Sequence, residues 1–503
     1  MLVFNISEKE FLAEAKSGLV FPLMSTLTTS DIGPLYLYQK LSSGESSSFL
    51  LESAEQGVWS RYSFIGIGAR SEIRFNNSWE MQIVDGERLL PNKSASSGTM
   101  LDALESVCSA WRQAEIANLP PLASGLVGLI GWDLIREIEK LPSRKLPGYE
   151  APIMHMQLVS ELVVVDHLEQ NLKIISNIYC DGSSDLRDSY QLAVSKILEI
   201  SELIESSDDE AFESESKAVD AVVTSNLSQV QFVEMVEKSK DFVIAGDVFQ
   251  VVVSQRFDVD VKASGVDVYR ELRSINPSPY MYLLNFVDES GPYAVVGSSP
   301  EALVTVSNSK VTMHPIAGTR PRGESAELDA QLAAELEVDT KERAEHLMLV
   351  DLARNDLLKV CTPNSVEVEE FMQIHNFSHV MHLVSTVTGQ LAQEKNAVDV
   401  LKATFPAGTL SGAPKPRALE IIEELEPQNR GIFGGVVGYF NFAGDADLAI
   451  AIRTALIRDG KAHVQAGAGI VLDSVPEMEF QETINKASAV IRAISDANGL
   501  AAN

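Results

Sequence analysis

Residues 447–472 read DLAIAIRTALIRDGKAHVQAGAGIVL. Two mainly apolar runs, near 447–457 and 462–472, flank the turn Arg458-Asp459-Gly460-Lys461. Asp-Gly at that point predicts a tight hairpin, because both residues tolerate the positive φ such a turn requires. A further strand is expected near 434–442 and a helix over about 476–495. Earlier in the chain the same patterns predict a β-rich run at 248–261 and strands near 280–287, 293–297, 302–306 and 379–388. Helices are expected at 325–337 and 340–358. Ser228 can cap another helix, in which Phe232, Met235, Val236, Phe242 and Val243 recur at helical spacing. Hairpin-joined strands with long helices between groups of them give a mixed α/β fold class with largely antiparallel sheets.

The chain of 503 residues carries 40 basic and 71 acidic side chains, a formal net charge of −31. Such a surface repels nucleic acid and anionic membranes, so a soluble enzyme acting on small molecules is expected. An anionic substrate would then need positive charge supplied locally. Glu199, Glu202, Glu205, Asp208, Asp209, Glu210, Glu213 and Glu215 follow one another without an intervening Lys or Arg. They mark a helix end and a solvated linker at 206–225, which divides an N-terminal domain, 1–205, from a C-terminal one, 226–503. Cys108, Cys180 and Cys361 are too few and too scattered for a disulfide framework or a zinc site, which points to a reducing compartment. No run approaches the 18 apolar residues of a membrane span. Glu8 and Glu10 come early and no arginine precedes Arg61, unlike a signal or transit peptide. A cytoplasmic location is expected.

Two carboxylate pairs stand out. Glu342 and Glu345 lie three apart on one expected helix, as do Glu479 and Glu482 on another. Asp339 with Glu342, and Ser474 with Glu477, also spell capping boxes, so each pair has a plain structural use. Phe480, Ile484, Ala487 and Ile491 form the buried stripe of the second helix, with Glu479, Glu482 and Lys486 on a neighbouring ridge. Left in solvent these carboxylates would do little; brought together, they suit a hard divalent cation such as Mg²⁺. Glycine-rich segments at 315–322 (PIAGTRPR), 406–415 (PAGTLSGAPK) and 465–470 (QAGAGI) would let backbone N–H groups approach an anion. None is a Walker A loop or a dinucleotide fingerprint. His375, His379 and His382 have helical spacing, but Val380, Leu383, Val384 and Thr386 favour a strand, and no cysteine or H-E-x-x-H accompanies them. Acid/base work by one histidine is therefore expected in preference to zinc. Arg453 shares an expected strand face with Ala449 and Ala451, small neighbours that leave room for a carboxylate gripped in bidentate fashion. An inter-sheet salt bridge is the alternative.

In order along the chain, PIAGTRPRG, KERAEHLMLVDLARND, FSHVMHLVS, FPAGTLSGAPK, RGIFGGVVGYF, AIRTA, QAGAGIV and EFQETINKA resemble the chorismate-utilising enzymes, and among them the large subunits (component I) of anthranilate synthases. The resemblance spans roughly residues 20–490. It implies a two-domain α/β sandwich with the active site in the larger C-terminal domain. It also implies amination of chorismate by ammonia and elimination of pyruvate to give anthranilate, the first committed step of L-tryptophan biosynthesis. A hydroxyl leaves poorly unless protonated. By resemblance Glu301, in Ser299-Pro300-Glu301, is that acid, and His382 and Thr409 match positions tied to aromatisation and pyruvate loss. Glu342, Glu345, Glu479 and Glu482 would hold Mg²⁺ against the ring carboxylate. Arg453, Gly467, Ala468, Gly469 and Lys486 would grip the other carboxylate, with Gly318 and Thr319 lining the ring pocket. Phe433 stands where the family usually has a substrate-contacting tyrosine. Ala317 stands where aminodeoxychorismate synthases often carry lysine, and Gln250 where isochorismate and salicylate synthases use one to activate water. With neither lysine, attack by ammonia is favoured.

Leu50-Leu51-Glu52-Ser53 and Asn276-Pro277-Ser278-Pro279-Tyr280-Met281 resemble the family's tryptophan feedback site. Glu52, Ser53, Pro279, Tyr280 and Met281 are thereby implied as tryptophan contacts. No cysteine has the Gly-rich elbow of a glutamine amidotransferase. Ammonia is therefore expected from a separate component II, which the resemblance implies is joined in a heterotetramer. Aminodeoxychorismate or aminodeoxyisochorismate synthase and a non-catalytic tryptophan-sensing homologue are the competing readings, with a zinc hydrolase more distant.

Overall fold

The Asp459-Gly460 hairpin is present in the computed structural model. Asp459 and Gly460 have φ of 50° and 74°, and Arg458 pairs with Lys461. The turn joins the strands Thr454–Arg458 and Lys461–Ile470. The structure describes residues 2–28, 32–42, 47–53, 61–84, 89–90, 98–142, 145, 148–182, 184–206, 221–376 and 380–501. His379 lies outside them.

The run at 447–457 is not one strand. Ala446–Ile450 pairs with Val436–Asn441 and Ala302–Ser307, whereas Thr454–Arg458 pairs with Gly291–Ser299 and Lys461–Ile470. The chain changes partners between them, and Arg453 takes the left-handed φ of 49° in the break. Arg453 therefore does not share a strand face with Ala449 and Ala451. Apolar alternation continues through the break, but the Ala451 N–H and C=O bond to Gly435 and Gly434 instead of continuing the ladder.

Gln250–Asp260 runs antiparallel to Lys461–Ile470, from Val251↔Ile470 to Asp260↔Lys461. The helix Pro476–Ala501 packs on this pair and buries Ala487, Val490, Ala493, Ile494 and Ala497. Ser474 does not cap it. The Met478 and Glu479 N–H groups bond back to the Val475 carbonyl, while Ser474 Oγ accepts from the Val471 N–H at 3.1 Å. Pro476, with its preset φ, starts the helix one residue later than the expected box requires. Ser228 does cap Gln229–Ile244, in a capping box with Gln231. The helix Thr340–Leu358 packs against the strands Ile316–Pro321 and Val380–Gln390.

The two halves of the chain share sheet and core. Ser48–Glu52 pairs with Tyr280–Asp288, and Gly125–Ile130 pairs with Val436–Asn441. Among the described pairings all are antiparallel except that of Leu19–Leu27 with Arg112–Gln113. The helix Leu186–Glu205 carries the first three acids of the block, Glu199, Glu202 and Glu205, in its last turns. Most of the expected linker lies outside the described residues, and its end, Val223–Ser225, is a short strand on Gln250–Asp260. No helix among the described residues is long and apolar enough to cross a membrane.

Candidate active site

Glu301 lies in the gap between Gly291–Ser299 and Ala302–Ser307. Its N–H donates to Ser299 Oγ at 3.4 Å and its carbonyl accepts from the Ile450 N–H at 3.0 Å, so the backbone is held on both sides. Thr409 Oγ1 donates to the Glu301 carboxyl at Oε1, 3.0 Å away. Burial pushes that carboxyl up to about 7, opposed by the Thr409 hydrogen bond and the positive charges of Lys486 and Arg453. A cavity of about 40 Å³ beside it is also lined by His314, Asp356 and Thr409. Thr409 belongs to a single helical turn, Gly408–Ser411. That turn lies so close to the Thr340 helix that a Cβ on Gly408 would stand 2.2 Å from Leu352 Cδ2.

Around this acid the structure gathers the basic and glycine-rich elements. Ser298 N–H donates to the Arg453 carbonyl at 3.2 Å. Lys486 Nζ donates to the Gly467 carbonyl at 3.0 Å and pairs with Glu482 at 2.6 Å. Ala468 is fully buried between the two glycines. A Cβ on Gly469 would meet Gln250 Nε2 at 2.6 Å, and that amide donates to Glu345 Oε1 at 3.2 Å. His382 Nδ1 lies 2.9 Å from the Gly318 carbonyl and 3.2 Å from Thr319 Oγ1. Donation from Nδ1 to that carbonyl sets the tautomer and makes Nε2 the basic nitrogen. Burial lowers the His382 pKa, opposed by that hydrogen bond and reinforced by Arg453, so the ring is neutral at pH 7. Gly318 has φ 68°, and a Cβ there would stand 3.3 Å from Glu342 Oε2.

Asp339 caps the Thr340 helix, accepting from the Lys341 and Glu342 N–H groups. The return half of the capping box is replaced, because the Asp339 N–H donates to the Leu336 carbonyl. The Glu342 carboxyl is instead pushed up by burial and by the charges of Glu345 and Asp339. Glu479 is pushed up by burial and by Glu482, opposed by a hydrogen bond from Ser474. Lys341 acts electrostatically on both Glu342 and Glu479, so one lysine lies within electrostatic range of both pairs. They do not converge: among the described residues no three His, Cys, Asp or Glu side chains group as a metal site. A groove of about 1010 Å³ runs past Gln250, Lys341, Glu345 and Asp356 and opens beside Phe249, which is 75% exposed.

Other expected residues are placed differently. Phe433 is 5% exposed and packs in the core with the Arg430 guanidinium 5.5 Å from its ring centroid, so it lines neither the groove nor the Glu301 cavity. His375 bonds to Glu370 at 2.8 Å and sits across the ladder from His382. Glu52 is buried opposite Met281, where its carboxylate accepts from Tyr269 Oη at 2.6 Å and Arg273 Nε at 2.8 Å. Next to it, Ser53 Oγ is buried without a hydrogen-bond partner among the described residues, and so is Oδ1 of Asp447. The Tyr280 hydroxyl bonds to Asp447, whose carboxyl burial pushes up to about 6. Pro279 is half-buried, and Met281 is fully enclosed. Sequence reasoning missed Asp447, His314 and the buried pair Glu426–Arg430. The available signals were an acid inside an apolar strand and an i,i+4 charge pair between core segments.

Residues 46–492 match the family described as chorismate binding enzyme. The chain is similar to anthranilate synthase component 1 of Arthrobacter globiformis, with 46% identity over 499 residues covering 98% of this chain and 93% of that protein. Similarity to the Mycolicibacterium smegmatis protein of the same name is 46% over 506 residues, covering 99% and 95%. Among solved structures, anthranilate synthase component I from Streptococcus pneumoniae superposes with a TM-score of 0.74 at 36% identity, covering 87% of this chain and 93% of that one. The menaquinone-specific isochorismate synthase MenF from Escherichia coli shares the fold, with a TM-score of 0.69 at 17% identity over 97% and 98% of the chains.

Proposed function

This chain belongs to the chorismate binding enzyme family, and we propose that it converts chorismate and ammonia to anthranilate, pyruvate and water. The observation that carries the reading is the Glu301 carboxyl, held near half-protonation at neutral pH beside Thr409, Arg453 and Lys486. Thr409 donates to Oε1, so the carboxyl proton resides on Oε2 and is available to the departing C4 hydroxyl. Ammonia bonds to C2 as the C4–O bond breaks, and water leaves. The neutral His382, basic at Nε2, suits removal of the C2 proton as the enolpyruvyl C3–O bond breaks and the ring becomes aromatic. Arg453 and Lys486 give a dianionic substrate a positive pocket inside a protein of net charge −31.

Glu342, Glu345, Glu479 and Glu482 offer only carboxylate oxygens; the two pairs stand apart in this structure, and a divalent cation that drew them together would relieve the repulsion within each pair, which is the donor chemistry Mg²⁺ requires. Bound there, Mg²⁺ supplies charge neutralisation at the ring carboxylate. Burial pushes the thiols of Cys108 up to about 12 and of Cys180 and Cys361 to about 11, the reverse of what a glutaminase nucleophile needs. That supports a separate glutamine amidotransferase subunit, and it is the family resemblance that implies its assembly with this chain as a heterotetramer. The three free cysteines go with a cytoplasmic location. Ser53 Oγ, next to Glu52, and Asp447 Oδ1, on the carboxyl that bonds Tyr280, have no partner among the described residues, which supports a polar effector such as L-tryptophan at Glu52–Ser53 and Pro279–Met281.

Incubation with chorismate, Mg²⁺ and an ammonium salt tests the reading, with fluorescent anthranilate expected. A non-aromatic aminated product would point instead to an aminodeoxychorismate or aminodeoxyisochorismate synthase, and tryptophan binding without turnover to a sensing homologue. Glutamine use by the isolated chain would exclude the separate subunit. An activity curve flat to millimolar L-tryptophan would exclude the effector site.

A further inference from the structure

Arg430 is 1% exposed and directs its donors entirely inward. Nε and Nη2 reach Glu426 Oε2 and Oε1 at 2.9 and 2.7 Å, and Nη2 also reaches the Val252 carbonyl at 2.8 Å. Nη1 reaches the Leu410 carbonyl at 2.7 Å. The guanidinium lies over Trp132, 4.3 Å from the ring centroid. Glu426 is completed by the Ser254 N–H and Oγ, at 2.8 and 2.7 Å. A buried ion pair of this kind is weak grounds for stability, since apolar replacements of similar volume often fold as well.

Its distinctive contact is the one to Leu410. The turn Gly408–Ser411 is four residues long and has no side-chain cap. So short a helix has no stability of its own, and its last carbonyls lack intrahelical partners. Arg430 captures one of these carbonyls, on the residue that follows Thr409. Thr409 in turn donates to Glu301 Oε1 at 3.0 Å. We infer that Arg430 is a positioning residue for Glu301: it fixes the Gly408–Ser411 turn through the Leu410 carbonyl and so aims the Thr409 hydroxyl at the acid. The inference rests on the proposed role of Glu301 as proton donor.

The charged and titratable groups facing Glu301 are Arg453 from the strand break, Lys486 from the Pro476 helix, and His314 and Asp356 across the small cavity. Asp356 is paired with Lys415 at 2.6 Å and Lys359 at 2.9 Å, and His314 Nδ1 lies 3.3 Å from Thr386 Oγ1. The hydrogen bonds of Arg430 described above reach none of them. Loosening the turn therefore acts on Glu301 through Thr409, whose hydrogen bond favours the ionised carboxylate.

The test is the pH profile of ammonium-dependent kcat, with Mg²⁺ supplied, for the full chain and for Thr409→Val, Arg430→Lys and the double variant. Lysine keeps a charge for Glu426 but lacks the fork that spans Leu410, Val252 and Glu426 together. Thr409→Val is expected to move the alkaline limb upward by about one pH unit. Arg430→Lys moves it the same way, and the double variant no further than Thr409→Val. An alkaline limb unmoved in Arg430→Lys while Thr409→Val shifts it would overturn the inference, whatever happens to Tm. Should Arg430→Lys not fold, Glu426→Gln/Arg430→Met removes both buried charges and is read by the same criterion. Full turnover in Glu301→Gln would instead overturn the acid assignment, and the role of Arg430 with it.

Discussion

Replacing Glu301 by glutamine removes a proton donor and a buried ionisable group at once, with opposite consequences for turnover and stability. Burial raises this carboxyl from 4.5 to about 7. Below pH 4.5 the group is protonated both folded and unfolded, so it contributes no pH dependence. Between 4.5 and about 7 the unfolded chain gives up the proton while the folded chain keeps it, and stability falls as pH rises. Above about 7 the folded carboxylate is ionised as well and the loss is complete. At about 1.4 kcal/mol per pH unit, the displacement corresponds to ~3 kcal/mol. Glutamine still accepts from Thr409 through its amide oxygen and does not titrate. Glu301→Gln is therefore expected to gain up to ~3 kcal/mol over the wild type at about pH 8.5 and to show no such gain near pH 4.5. Turnover is expected to fall by about 10²–10⁴-fold. Urea denaturation at the two pH values, with anthranilate fluorescence for kcat, measures both effects. A stability difference independent of pH, or a wild-type kcat without an alkaline limb near 7, would refute the reasoning.

Gly408→Ala places a Cβ 2.2 Å from Leu352 Cδ2, the free end of a half-buried side chain that can turn aside into the groove, so thermal denaturation should change by no more than about 1 kcal/mol while kcat falls modestly as the Thr409 turn adjusts. Arg453→Gln should raise the chorismate KM at least tenfold, roughly the loss of one charged hydrogen bond, and move the alkaline limb upward because Arg453 holds the Glu301 carboxyl down. Mg²⁺ at about 100 times its Kd should stabilise the protein by ~2.7 kcal/mol in a thermal melt, an effect abolished in Glu345→Gln/Glu482→Gln. Equal melting shifts in wild type and variant would place the ion elsewhere.

Local features were legible in the sequence because their causes are local. Asp459-Gly460 spells the hairpin, since the two left-handed residues are adjacent in the chain. Ser228 with Gln231 spells a helix start whose partners lie three residues apart. Glu342 with Glu345 and Glu479 with Glu482 could be read as pairs from the helical repeat, and the ordered family segments pointed to chorismate chemistry. Ser474 misled because a capping-box spelling says nothing of competition from Pro476 two residues on. The break at Arg453 was invisible because alternation persists while the strand changes neighbours. Glu52 was legible as part of a motif, but not as a carboxylate already taken by Tyr269 and Arg273.

Glu301 shows the division most clearly. Its sequence context, Ser299-Pro300-Glu301, marks a strand end and a family resemblance, and an exposed glutamate there would titrate near 4.5. Its acidity near 7 arises where four distant segments meet: residues 299–301, the Thr409 turn, the Arg453 break and the Pro476 helix. Patterning, turns and caps depend on neighbours a few residues away, so a one-dimensional reading reaches them. Desolvation and Coulomb interactions depend on distances in space. A proton donor poised at neutral pH, and the Arg430 contact that braces its partner, exist only once the chain has folded.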